Sequence, residues 1–183
     1  MRTNRPAQAP PEGTTSGEDM PILNPHSLEF FSRSPEQTRR LGIRLGSLLR
    51  PGDLLCLSGD LGAGKTTLVQ GLAQGWGSLD SVSSPTFVLC NEYRRPDGKV
   101  LYHLDAYRLA DALEAEDLDL DAMLETGPLA VEWAERIKTA LPLQRLWLKL
   151  RYISEEQRGM VFEPEGSRYE QIVSKFRHQS FGG

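Results

Sequence analysis

Nine consecutive residues, Gly59-Asp60-Leu61-Gly62-Ala63-Gly64-Lys65-Thr66-Thr67, carry the most concentrated chemistry in the sequence. Their spacing is G-x-x-x-x-G-K-[ST], the phosphate-binding P-loop. A triphosphate is small, rigid and anionic, so it calls for many donors and little bulk around it. Gly62 and Gly64 let the backbone curl and bring its N–H groups, those of Asp60, Leu61, Ala63 and Thr67 included, close to phosphate oxygens. Lys65 supplies a point charge for the β- and γ-phosphates and is expected to face solvent at the ligand site. The Thr66 hydroxyl is a ligand for Mg²⁺.

A P-loop of this kind needs an acid for Mg²⁺, usually at the end of another strand. Two candidates follow short apolar runs, Asp105 after residues 100–104 and Glu132 after residues 128–131. Hydrolysis also needs a group that orients water, and spacing alone does not divide the two roles between them. His103 alternates with Asp105 and reads as a sheet-face residue rather than a base or metal ligand. Ser84-Pro85-Thr86 reads two ways. It is a switch-like loop whose hydroxyls reach the γ-phosphate or Mg²⁺, or an ordinary Ser-Pro turn, and spacing favours the turn. No Asn-Lys-x-Asp motif and no Asp-x-x-Gly after the P-loop is present, so ATP is favoured over GTP.

These residues must be held by particular elements. Residues 53–58 form an apolar run after the turn signal Pro51-Gly52, which predicts a buried strand leading into the loop. Leu68, Val69, Leu72, Ala73 and Trp76 recur at helical spacing until Gly75 and Gly77 stop the pattern. A helix there aims free N–H groups and the positive end of its dipole at the anion. Upstream, residues 27–32 read as a first strand, and Ser34-Pro35-Glu36-Gln37 as a capping box with proline at the first helical position. Leu41, Leu45, Leu48 and Leu49 continue that helix, with Thr38 on its surface. Residues 95–99 read as a hairpin turn and 111–124 as one or two short amphipathic helices with a solvated acidic face. Residues 134–140 are expected to be helical, 146–152 an edge strand paired with 158–163, and 169–176 a last helix.

The totals bound the setting. A chain of 183 residues, 39% hydrophobic, suits one domain with a full-sized core. Residues 1–25 are rich in Pro, Gly, Ser, Thr and charge and are expected to be a disordered N-terminal tail, which leaves 26–183 as the domain. A net charge of −4 implies no strong unaided grip on nucleic acid. Cys56 and Cys90 sit in apolar runs and read as buried thiols of a reducing compartment. With no span-length apolar stretch and no signal-peptide core, the expectation is a cytoplasmic protein without a membrane partner. The predicted fold class is α/β and P-loop NTPase-like, a mostly parallel sheet flanked by helices with antiparallel edge strands.

The P-loop, Ser-Pro-Thr-Phe at 84–87, Asn-Glu-Tyr at 91–93, Tyr-His-Leu-Asp-Ala-Tyr-Arg-Leu at 102–109 and Val-Glu-Trp-Ala-Glu-Arg at 131–136 resemble, in order and spacing, the bacterial TsaE (YjeE) family. The likeness spans residues 27–152, and no core motif departs from the pattern. The resemblance implies a Mg²⁺-dependent ATPase, slow alone, that works with TsaD and TsaB to make threonylcarbamoyladenosine. That nucleoside lies next to the anticodon in tRNAs reading codons that start with A. TsaD and TsaB carry the transfer chemistry, and the ATPase resets their complex, meeting tRNA only through it. The resemblance also implies that Lys65 and the loop amides bind phosphate, that Thr66 and Glu132 bind Mg²⁺, and that Asp105 is a catalytic acid near the γ-phosphate. It puts Trp133 near the nucleotide, makes Thr86 the switch threonine and draws attention to Thr38 on the adenine side. Two other classes use the same loop. A small-molecule kinase is disfavoured because residues 106–125 are acidic where such kinases carry an arginine-rich lid; a nucleotide-dependent binding module would show negligible turnover.

Overall fold

The computed structural model describes residues 26–80, 82 and 89–181. Seven strands form one sheet in the order β1-β7-β6-β2-β5-β4-β3. They are β1 (Leu28–Ser32), β2 (Leu54–Ser58), β3 (Cys90–Arg94), β4 (Val100–Asp105), β5 (Leu129–Glu132), β6 (Arg145–Tyr152) and β7 (Arg158–Glu165). The central strands β4, β5, β2 and β6 run parallel to one another. β3 at one edge and the β7–β1 pair at the other are antiparallel additions. The P-loop NTPase-like α/β class expected from the sequence is the class observed.

Alternation along β2 sends neighbouring side chains into two different layers. Leu55 and Leu57 pack into a core shared with helices α1 (Pro35–Gly46), α2 (Lys65–Trp76) and α5 (Ser167–Phe181). Leu54 and Cys56 face the other core, closed by α3 (Ala112–Glu116), α4 (Leu120–Thr126) and the 3-10 segment Ala134–Ala140. Acids of the 111–124 run do local work there: Asp111 caps α3 by accepting from the N–H groups of Leu113 and Glu114, and Asp119 caps α4 through Ala122 N–H.

The first helix starts where its cap predicts. The Ser34 side chain accepts from Gln37 N–H at 3.2 Å, and Pro35 opens the helix. The return bond differs from the expected box, since Gln37 Oε1 accepts from Arg33 N–H at 2.8 Å. Thr38 is a correction. It is 1% exposed, with Oγ1 2.8 Å from Ser32 Oγ and 3.3 Å from Ser34 O, because it lies one turn before Leu41 on the helix face that packs on the sheet. Gly75 does not stop α2. A Cβ there would stand 2.0 Å from Ile43 O, so Gly75 lets α1 and α2 touch, and Gly77 at φ 93° ends the helix.

Residues 146–152 are not an edge strand. β6 pairs with β2 on one side and, along its whole length, with β7 on the other. Its alternation comes from one solvated sheet face, where Lys149 pairs with Glu163 and Arg151 with Glu29. The last helix is fastened to the middle of the fold. Tyr169 Oη accepts from Leu54 N–H at 2.8 Å, and Arg168 grips the buried Asp53 carboxylate through Nε at 2.9 Å and Nη2 at 2.6 Å.

Candidate nucleotide site

Parallel strands gather ligands at their carboxyl ends, and here those ends meet in one cavity of about 440 Å³. That volume falls in the range of small-molecule sites. Its floor is the loop between β2 and α2. Gly59, Gly62 and Gly64 stand at φ 132°, 79° and 100°, a region closed to most side chains. Leu61, Gly62, Gly64, Lys65, Thr66 and Thr67 line the cavity. Ala63 turns its methyl into the core, and its N–H bonds Asp60 O at 3.1 Å.

Lys65 is not the solvent-facing charge expected. It is 5% exposed and donates to Gly59 O at 2.6 Å and Asp60 O at 2.9 Å. Its Nζ lies 3.7 Å from the centroid of the Trp133 ring. Burial pulls the ammonium below the ordinary lysine value, against the opposing fields of Glu132, Glu135, Asp105 and Asp60. A bound polyphosphate would replace two carbonyls with formal negative charge.

The register of β4 on β5 pairs Asp105 with Glu132, so both strand-end acids line the same cavity. Their settings differ. Glu132 is 5% exposed and accepts from Thr66 Oγ1 at 2.9 Å through Oε1, with Oε2 at 3.2 Å. Its Oε1 also lies 2.9 Å from His103 Nε2. Asp105 is less buried and accepts from Tyr107 N–H at 3.0 Å, capping the 3-10 turn Ala106–Arg108. Thr66 and Glu132 are thus adjacent hard oxygen donors. Among the described residues no cluster of three or more His, Cys, Asp or Glu side chains forms an all-protein metal cage. This donor set fits Mg²⁺, which takes one or two protein oxygens and fills its shell with phosphate and water.

Trp133 holds φ 58°, a costly backbone for a bulky residue, directly after the Glu132 strand end. That kink turns its ring beneath Lys65 and against Tyr107, ring centroids 5.1 Å apart. Thr86 lies outside the described residues. The sequence reading missed four cavity-lining residues, Pro35, Tyr107, Glu156 and Arg158, and took Thr38, a fifth, for surface. Arg158 Nε donates to Gly62 O at 3.1 Å, and Nη1 holds the carbonyls of Ser154, Glu155 and Gln157. The β1–β7 pairing brings Arg158 opposite Ser32, beside the start of α1, a proximity no local motif reports. Arg136 donates to Leu109 O at 3.0 Å.

Comparison with known proteins agrees with this geometry. The family model "Threonylcarbamoyl adenosine biosynthesis protein TsaE" matches residues 32–160. The tRNA threonylcarbamoyladenosine biosynthesis protein TsaE of Bacillus subtilis is 40% identical over 156 residues, 84% of this chain and 96% of that protein. Its namesake from Streptomyces coelicolor is 51% identical over 114 residues, 61% of this chain and 77% of that protein. The crystal structure of Bacillus subtilis YdiB superposes with a TM-score of 0.70 at 33% identity, covering 84% of this chain and 96% of that one. With the family model matched over residues 32–160 and a relative 40% identical along 96% of its length, the chain belongs to the TsaE family of threonylcarbamoyl adenosine biosynthesis proteins.

Proposed function

We propose that this protein binds ATP with Mg²⁺ in the cavity above the P-loop and hydrolyses it in support of tRNA threonylcarbamoyladenosine synthesis, acting on the TsaD–TsaB pair. The observation that carries the reading is the convergence of Lys65, Thr66, Asp105 and Glu132 on one cavity. Lys65 is the phosphate cation, exchanging the Gly59 and Asp60 carbonyls for the β- and γ-phosphates. Thr66 and Glu132 are the metal ligands, and Mg²⁺ there neutralises charge on the phosphates. Asp105, more open and level with Glu132, is the acid that orients the attacking water. Trp133 and Tyr107 wall the phosphate end, and Thr38 and Pro35 lie at the start of α1 on the nucleoside side.

The site is supplied for binding more fully than for turnover. Arg158, at the mouth, is held by four backbone carbonyls. An arginine supplied by a partner is worth on the order of a thousandfold or more in phosphoryl transfer. Slow hydrolysis by the isolated chain is therefore expected, rising steeply as TsaD–TsaB is titrated in. That dependence would make ATP use conditional on assembly, as resetting a complex requires. Steady-state phosphate release is the measurement. Hydrolysis at full rate alone and unchanged by the pair would contradict the coupling. Phosphate transferred to an added small molecule would mark a kinase.

A further inference from the structure

Behind Glu132 runs a line of hydrogen bonds that the hydrolytic reading does not use. Leu101, His103 and Asp105 share the face of β4 turned toward α2, and the register sets His103 beside Ala130, two residues before Glu132 on β5. His103 is fully buried. Its Nε2 lies 2.9 Å from Glu132 Oε1 and its Nδ1 3.1 Å from Tyr93 Oη. On β3, directly opposite His103 in register, Asn91 donates from Nδ2 to Tyr93 Oη at 3.4 Å.

The chemistry of these groups sets the direction of donation. An amide NH₂ only donates, so Tyr93 Oη accepts from Asn91, and the same hydroxyl lies within hydrogen-bond reach of His103 Nδ1. A carboxylate oxygen only accepts, so the bond between Nε2 and Glu132 Oε1 is donated by the imidazole. From the other side Thr66 Oγ1 donates to the same carboxylate. Glu132 is thus held between a donor on the P-loop helix and a donor line that crosses two strands. A buried carboxylate with two orienting donors has little rotational freedom, and this one lines the cavity.

We infer that His103, backed by Tyr93 and Asn91, is a positioning residue that orients the Glu132 carboxylate for Mg²⁺. The inference rests on the reading of Thr66 and Glu132 as the metal ligands. His103 touches neither nucleotide nor metal and acts through Glu132. Partners of this kind, one bond behind a metal ligand, are typically worth about ten- to a hundredfold in metal affinity. A histidine that merely filled the sheet would affect nucleotide binding equally with and without the metal.

The test is calorimetric titration of ATP into the full chain, in EDTA and in saturating Mg²⁺, with a Mg²⁺ titration at fixed ATP. His103→Leu removes both bonds, His103→Gln restores a donor near the Nε2 position, and Tyr93→Phe removes only the hydroxyl behind the ring. His103→Leu is expected to lose roughly ten- to a hundredfold in Mg²⁺ affinity with the metal-free ATP affinity unchanged. His103→Gln should recover part of the loss, and Tyr93→Phe should show a smaller loss of the same kind. A folded His103→Leu protein with wild-type Mg²⁺ affinity, or with equal losses in both conditions, overturns the inference. Should that variant fail to fold, Tyr93→Phe decides by the same criteria. Wild-type protein and Glu132→Gln are run alongside. If Mg²⁺ does nothing for the wild type, or Glu132→Gln retains full Mg²⁺ affinity, the metal assignment itself falls and takes the inference with it.

Discussion

Lys65 shows how a motif can mark a side chain and still misjudge its setting. The motif located the ammonium, but its resting partners are the carbonyls of Gly59 and Asp60 and the Trp133 ring. On the proposed reading, removing it deletes a charge-assisted contact to phosphate worth ~1.5–3 kcal/mol, while the residues whose carbonyls it holds are not deeply buried, Gly59 half-buried and Asp60 exposed. Lys65→Ala is therefore expected to weaken ATP binding by roughly ten- to a hundredfold with the melting temperature little changed. Equilibrium titration checks this, and unchanged ATP affinity would remove the phosphate role. Thr38 was legible in principle, since it stands three residues before Leu41 on the buried stripe. His103 and Arg158 were not. The partners of His103 are set by cross-strand register, by way of β3 and β5, and Arg158 meets Gly62 O of the P-loop, and through β1 the start of α1, only once the sheet is assembled; these are tertiary facts that local spacing does not encode.

At the scale of elements, loop, strand and helix could be placed because each has a local signature: an apolar run for β2, glycines for the loop, a proline-bearing cap for α1. Strand order could not beyond the pairing of 146–152 with 158–163, which is observed, and the charged alternation of β6 reads as an edge although β2 and β7 flank it. The contact between α1 and α2 is the least legible part. A Cβ built on Gly42, Gly46, Gly71 or Gly75 would stand between 2.0 and 2.4 Å from a backbone oxygen of the facing helix. These glycines let the two backbones meet, which holds α1, and with it Pro35 and Thr38, against the helix that begins at Lys65. Helix propensity alone favours alanine over glycine by about 1 kcal/mol. The clash with Arg39 O at 2.1 Å, on backbone that cannot give way alone, reverses that sign at Gly71. Gly71→Ala is expected to cost about 1–3 kcal/mol net and lower Tm by roughly 2–12 °C, read from a thermal melt. An unchanged or raised Tm would contradict the close seam.

For the whole molecule, burial of titratable groups sets an alkaline limit. Burial pushes the Cys56 thiol up from the ordinary 9.0 to about 12 and Cys90 to about 11. It raises the Tyr93 and Tyr169 hydroxyls as well. In the folded chain each keeps a proton that its unfolded counterpart has released, so the stability they contribute is complete below pH 9 and is lost as the pH climbs toward 11–12. Lys65, shifted downward, acts against this trend. Tm measured across the alkaline range should begin to fall at about pH 9, and less steeply in Cys90→Ser; Cys56 is buried as expected but Cys90 only half-buried, and a flat profile would contradict thiols held protonated there. Among the described residues no helix is long and apolar enough to cross a membrane. Residues 1–25, read as a tail, lie outside the described ones. Among the described residues the carboxyl ends of the parallel strands present an acid-and-lysine cavity on a TsaE-family fold, and on the proposed reading ATP used in that cavity serves tRNA modification. The most direct measurement is reconstitution. TsaD and TsaB are supplied with tRNA, ATP and the threonylcarbamoyl donor, and threonylcarbamoyladenosine is quantified over many turnovers with no addition, with this protein, or with Lys65→Ala. Continued product formation is expected only where the wild-type chain is added. An equal yield with Lys65→Ala, or with no addition, would contradict it.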